Sequence, residues 1–382
     1  MTLDDVLNPP VKKTTGSRRG DLERTMVTIG SSLLAVVVAL VISGLLLAIT
    51  GKDPFAAFAK MGEVATNTDK LYETVQRAMP FIMAAVAFAV TAKLGLFNIG
   101  VEGQFLMGMF WAAVIGAYVE LPAVLHIPFV IIVGSLAGAL WGGIAGYLKV
   151  KRGVNEVIST IMLNAIALQL IDYLFNEFFR YDDGTGSLDV RTKQLPETAW
   201  MPDIVENQLN GFVVVVLLVV IAYYLLVFRS RFGFRLRASG LNPEAARTSG
   251  INAKKMVLMA MLISGLIGGL VGLPYLMGES HSYGPTRPSG YGFTGIGVAL
   301  LGRNHPVGIV AAGLLFGFLE ATGGPLQLEG IPSSIVRVIQ GITLFSVVII
   351  SGAADRWYAK RTTERAAREM QLASTETQEV AA

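Results

Sequence analysis

Ten stretches of mostly apolar residues, most of them near twenty long, divide this chain, and that spacing excludes nearly every soluble fold. They lie near 27–49, 76–92, 100–119, 127–148, 155–175, 209–228, 256–277, 287–302, 305–322 and 333–351. A helix needs about 20 apolar residues to cross the hydrocarbon core of a bilayer. The pattern therefore predicts an all-α integral membrane protein of about ten transmembrane helices. Charge placement agrees. Residues 1–25, 176–208, 229–255 and 352–382 hold 37 of the 59 charged side chains, leaving the intervening runs almost free of charge. The eighth run is the least regular, because Gly284, Pro285, Pro288 and the glycines at 290, 292, 295 and 297 interrupt it. A broken or re-entrant helix is expected there, a form tolerated only where protein or a cavity covers the freed backbone.

Orientation follows from the basic residues. Placing the N-terminus inside puts 22 of the 31 Lys and Arg residues on the cytoplasmic side and eight outside, with Arg337 inside a span. The positive-inside rule then sets both termini in the cytoplasm. The expected organisation is a cytoplasmic tail over 1–26, a polytopic membrane domain over 27–351 and a cytoplasmic tail over 352–382. Within it, 176–208 forms an external loop and 229–255 a cytoplasmic one. The apolar run from Met26 to Ile49 is longer than a signal-peptide core, and Ala48–Gly51 is a poor cleavage site, so an uncleaved first span is expected. From about Thr362 onward a short solvated helix fading into a disordered tail is expected.

Several classes of chemistry are disfavoured. With no cysteine there is no disulfide framework, thiolate metal site or cysteine nucleophile. The three histidines, His126, His281 and His305, are too far apart for an HExxH-type zinc motif. No metal, cofactor or catalytic constellation is expected, and nothing favours nucleic acid as a partner. The chain also lacks a P-loop: its single Gly-Lys pair, Gly51-Lys52, has Leu46 in place of the leading glycine and Asp53 in place of the hydroxyl. If ATP drives this protein, the motor is another polypeptide.

Small-residue stripes indicate close helix packing. Gly134, Gly138, Gly142 and Gly146 recur every four residues, and Gly265, Gly268, Gly269 and Gly272 form a second set. Gly313, Gly317 and Ala321 form a third. Lipid does not drive helices together hydrophobically, so backbone approach along such stripes takes that role.

Three polar constellations stand out. In Gly95–Gln104, Asn98 can cap the third span and Glu102 follows on the same face. Asn98, Glu102 and Gln104 can equally line a solute path, since an intramembrane carboxylate is a functional candidate. In the second, Glu156, Thr160 and Asn164 share an arc of about 80° on the fifth span. They face either a wet cavity or their own helix, Thr160 through a back-bond and Glu156 as a cap. Asp172 falls outside that arc, on the outer rim. The third, Arg229–Lys255, is too polar to span. Asn242 can cap a helix of roughly two turns that begins at Pro243, carries Glu244, Ala245, Ala246 and Arg247, and stops at Gly250. It suits either a handle for a soluble partner or a basic loop on anionic headgroups.

Four of these segments, GLFNIGVEGQ (95–104), NEVISTIMLN (155–164), GLNPEAARTSGI (240–251) and YGFTGIGVALLGRNHP (291–306), resemble the membrane permeases of bacterial ABC importers. The group resembled is the branched-chain amino acid/ribose superfamily, and within it the nucleoside and simple-sugar branch. The resemblance covers about 27–351. The form Asn98-Ile-Gly-x-Glu-Gly-Gln104 is similar to the nucleoside members, and Gln104 to the first of two paired permeases. The resemblance implies a non-catalytic, multi-pass subunit of the bacterial inner membrane that moves nucleosides, with a ribose-like sugar or an amino acid as alternatives. It also implies a separate ATPase, a second related permease in a heterodimer, and an external substrate-binding lipoprotein. It places Gly240, Asn242–Arg247 and Gly250 in the segment that couples to the ATPase.

The rival reading is a secondary transporter of a small polar solute. Ile99-Gly100-Val101 and Ile296-Gly297-Val298 hint at the internal repeats such folds use. Against it stand the capped cytoplasmic loop and an expected lack of pairable charges within the spans.

Overall fold

A computed structural model describes residues 16–181 and 190–381. Six helices come first: α1 (Gly16–Ile49), α2 (Pro54–Thr66), α3 (Thr68–Ala92), α4 (Val101–Tyr118), α5 (Ala123–Arg152) and α6 (Glu156–Leu174). A short antiparallel hairpin of β1 (Asp203–Val205) and β2 (Leu209–Asn210) follows. Then come α7 (Phe212–Tyr224), α8 (Arg231–Leu241), α9 (Pro243–Thr248) and α10 (Ala253–Gly268). The chain closes with α11 (Tyr291–Leu301), α12 (Pro306–Ala321), α13 (Gly323–Leu328) and α14 (Ser334–Ala381). Single π-helical turns prolong α6 to Phe179 and α7 to Arg229, and a bend after Gly268 joins α10 to a helical piece ending at Ser280.

Among the described residues, eight helices are long and apolar enough to cross a membrane. The other two expected spans coincide with α4, of 18 residues, and α11, of 11. At 1.5 Å per residue α11 is about 16 Å long, roughly half the ~30 Å core. The irregular span is thus a half-helix entered through non-helical chain, residues 282–290.

Three local features differ from the sequence expectation. Helix α2 was not anticipated, because its 13 residues are too few to span. Its start is nonetheless encoded, since Asp53 accepts the N–H groups of Phe55 and Ala56 ahead of Pro54. The segment before α9 is helical as α8, capped by Ser230, whose side chain accepts the Gly233 N–H. And α14 runs unbroken to Ala381 instead of fading after Thr362. No glycine or proline follows Gly352, and Ala, Glu and Arg there favour helix.

The chain divides into two compact units. The smaller contains α1 up to Leu46 and α14 from Gly341. In it Glu23 pairs with Arg365 at 2.7 Å and Arg361 at 3.8 Å, and those guanidiniums hold its carboxyl below the ordinary range. The larger unit, Leu47–Gln340, is built around α3, in which every residue from Ala78 to Thr91 is buried. The glycine stripes lie where α5 crosses α10. A Cβ on Gly138 would stand 2.3 Å from the Gly265 carbonyl oxygen, and one on Gly269 would stand 2.1 Å from that of Gly134. Gly317 abuts the Thr74 carbonyl on α3 in the same way, at 2.5 Å.

Candidate solute cavity and coupling surface

The N-terminus of α11 meets the N-terminus of α4, and Glu102 joins them. Its carboxylate accepts the N–H of Gly290 at 2.6 Å and of Gly292 at 2.8 Å. A helix that begins inside a membrane has N–H groups without partners, and a carboxylate on the positive end of its dipole satisfies them. Further back, the non-helical chain exchanges bonds with the loop before β1: Thr192 N–H donates to the Tyr283 carbonyl, and Tyr283 N–H to Thr192 Oγ1. The freed backbone of the broken span is therefore covered by protein.

A cavity of about 490 Å³ opens beside this junction. Glu102 and Asn164 stand in its wall with Ile161, Leu168, Arg287 and Phe293. Asn164 clamps the start of α4, accepting the Gly103 N–H at 2.8 Å and donating to the Ile99 carbonyl at 3.0 Å. Asn98 and Gln104 are buried behind the wall. The Asn98 side chain accepts the Gly100 N–H and donates to Ser264 Oγ, which donates to the Ala87 carbonyl. Gln104 lies in the gap between Gly142 and Gly268. The capping residue of α4 is therefore Gly100, not Asn98.

Thr160 and Glu156 are not in the cavity wall. Thr160 Oγ1 bonds back to the Glu156 carbonyl at 2.7 Å, and the Glu156 carboxylate pairs with Lys149 Nζ at 2.5 Å. Asn155, not Glu156, caps α6, accepting the N–H groups of Val157 and Ile158.

One residue at the cavity was missed. Arg287, between Pro285 and Pro288, places Nη2 3.3 Å from Asp172 Oδ1, with its guanidinium 5.1 Å from the Tyr283 ring centroid. An ion pair therefore joins α6 to the non-helical chain ahead of α11. Asp172 follows the cavity-lining Ile161, Ala165 and Leu168 at helical spacing on α6 and meets the cavity through its ion-pair partner Arg287. The signal available in sequence was an arginine beside the prolines of an interrupted apolar run.

The segment at 229–255 forms a second assembly. The Asn242 side chain accepts the N–H groups of Glu244 and Ala245, Pro243 is the first residue of α9, and Gly250 adopts a φ of +77° to end it. Its terminal carbonyls are bonded as well, with Gly250 N–H donating to Arg247 and Ile251 N–H to Ala246. Ala246 is buried, while Glu244, Ala245 and Arg247 face outward. Gly240, on α8, sits against the turn after α3, where a Cβ would stand 2.7 Å from the Lys93 carbonyl oxygen. Lys93 Nζ lies over the Phe228 ring, and burial together with the nearby Arg237 guanidinium holds its ammonium below the ordinary lysine range.

At the opposite end of the larger unit, a cleft of about 640 Å³ is lined by charges of both signs. Arg77 there lies between Glu73 and Glu279, at 3.8 and 3.7 Å. Beside it His281 stacks on Trp200, and burial lowers its pKa against the opposing pull of Asp203.

Residues 70–352 match the family model described as the branched-chain amino acid transport system / permease component. The nucleoside ABC transporter permease protein NupB of Lactococcus lactis is 33% identical, over 83% of this chain and 90% of its own. The guanosine ABC transporter permease protein NupP of Bacillus subtilis is 33% identical, over 82% and 91%. The glucose ABC transporter permease protein TsgB13 of Haloferax volcanii is 32% identical, over 84% and 87%.

Proposed function

This chain belongs to the branched-chain amino acid transport permease family, and from that premise we propose that it forms the nucleoside path of an ATP-driven importer. As an ABC permease it is a multi-pass membrane subunit whose partner is an ATPase. The reading of nucleosides rests on one observation: two relatives named for nucleoside and guanosine transport align over more than four-fifths of the chain. The glucose relative gives a sugar as the second reading.

In this proposal both termini and α9 face the cytoplasm, and the cleft at Arg77 and Glu279 faces outward, where an external binding lipoprotein delivers solute. The ATPase grips Gly240, Asn242–Arg247 and Gly250. A second, related permease completes the path along the cavity bordered by Glu102 and Asn164. The transport cycle asks three things of this chain. It must hold the half-helix in register, keep the cavity wall polar yet satisfied, and pass motion from α9 to the turn at Lys93. The chain itself contributes no bond-making step.

The test is uptake by the complex reconstituted in vesicles with ATP, using a panel of nucleosides, ribose, glucose and branched-chain amino acids. Nucleosides should accumulate fastest, and only with ATP. Faster uptake of glucose or an amino acid would overturn the substrate, and uptake driven by an ion gradient without ATP would make the protein a secondary transporter.

A further inference from the structure

Hydrogen-bond accounting around the cavity separates the groups that hold the fold from those that remain open to a ligand. Both Glu102 oxygens accept backbone N–H groups, and both ends of the Asn164 amide are bonded to the start of α4. These side chains border the cavity, but each is tied to the backbone it holds, which leaves only part of its hydrogen-bonding capacity. Arg287 differs. A guanidinium carries five donors, and among the described residues this one makes a single side-chain bond, to Asp172 at 3.3 Å. Its side chain is 13% accessible and lines the cavity. Asp172 is 46% accessible, and among the described residues no donor is bonded to its Oδ2. The pair is held in place from one side by the Tyr283 ring.

Open guanidinium donors beside an open carboxylate oxygen select for a particular chemistry. An anion would be drawn to Arg287 but repelled by Asp172 and Glu102, and a cation would meet the reverse. A neutral solute with adjacent hydroxyls satisfies both partners, since each hydroxyl donates to the carboxylate and accepts from the guanidinium. The exposed Phe293 ring gives the same cavity an apolar wall. Its volume of about 490 Å³ falls within the range of small-molecule sites.

We propose that Arg287 and Asp172 form a recognition station for the vicinal hydroxyls of a neutral sugar ring, either the ribose of a nucleoside or a free pentose. The inference rests on the importer reading above and assigns discrimination to the permease itself. Both residues are specificity residues for passage, not struts of the fold.

The experiment compares initial uptake of uridine and 2′-deoxyuridine, and of ribose and 2-deoxyribose, by the reconstituted complex with its binding protein unchanged. Because that protein is the same throughout, a change in the ratio between two solutes on substitution belongs to the cavity. Arg287→Lys keeps the charge but loses the planar fork, and Asp172→Asn keeps the shape but loses acceptor capacity. Each should reduce the preference for the hydroxylated solute by about tenfold, the effect of one lost charge-assisted hydrogen bond. Asp172→Glu should restore part of it. An unchanged ratio in both variants, or equal loss of both solutes with the complex still assembled, would overturn the proposal and leave a structural ion pair. Uptake of ribose but not uridine by the unaltered complex would overturn the nucleoside reading alone, and the ribose pair would then decide the station. If the unaltered complex carries neither class, both fall.

Discussion

Glu102 accepts the Gly290 N–H at 2.6 Å across 188 residues of sequence, and so caps a helix to which it does not belong. The same carboxylate takes the Gly292 N–H. Replacing it with Gln leaves one acceptor oxygen and turns an amide nitrogen toward the other N–H. Replacing it with Ala leaves both N–H groups bare. Hydrogen bonds to a charged group contribute about 1.5–3 kcal/mol, so Glu102→Ala should lower the melting temperature of the solubilised permease clearly and Glu102→Gln by less. Thermal denaturation followed by size exclusion reads this order directly. Equal melting of both variants and the unaltered protein would remove the cap from the account of the half-helix.

Asn164 ties the first turn of α4 from the opposite side. In Asn164→Leu the Gly103 N–H and the Ile99 carbonyl lose their partners in a buried site, at about 1–3 kcal/mol each. Transport should fall, and so should thermal stability. Asn164→Asp keeps the acceptor for Gly103 and loses only the donor to Ile99, so it should lie between. Loss of transport at unchanged stability would instead assign Asn164 to contact with the solute.

Much of this was legible locally. Charge-free runs located the spans because an unpaired charge is costly in lipid, and Asn242, Pro243 and Gly250 located α9 because caps act within a turn. Legibility failed where partners are distant or where a pattern has two sources. Asn98 reads as a helix cap, yet a contact with Ser264, 166 residues on, places it behind the cavity. Arg287 is not marked out by its neighbours, because it stands at the edge of the interrupted eighth run, ahead of a helix only 11 residues long. Helix α2 was hidden by length alone, since a search for twenty apolar residues passes over an amphipathic thirteen.

The crossing of α5 and α10 leaves no room for a side chain. A methyl group on Gly269 would stand 2.1 Å from the Gly134 carbonyl oxygen, a backbone atom that cannot turn aside. Gly269→Ala should therefore force the helices apart, and overpacking of this kind costs about 1–3 kcal/mol. Low membrane levels and a broadened elution profile are expected. Gly341→Ala is the control, because nothing lies within 4 Å of its Cβ position. It should be neutral or slightly stabilising, by up to about 1 kcal/mol of helix propensity. Normal yield from Gly269→Ala would show that the crossing is looser than the backbone distances indicate.

Helix α9 is six residues long, too short to persist alone in water. It is held by the Asn242 side chain, by the turn at Gly250 and by the burial of Ala246. Asn242→Ala removes two accepted N–H bonds and should cost about 1 kcal/mol locally, enough to loosen α9 without unfolding its neighbours. Arg247 is exposed, so Arg247→Glu changes the charge offered to a partner with little effect on packing. The positive-inside signal keeps 21 of its 22 residues in that variant. A protein carrying both changes should therefore reach the membrane at normal levels, retain less ATPase on purification and lose uptake. Co-purification of the ATPase with the solubilised permease measures the central step. Full retention of the ATPase with unaltered uptake would exclude 229–255 as the coupling surface. Disappearance of the permease from the membrane would mean that α8 and α9 mainly brace the turn at Lys93, against which Gly240 already lies.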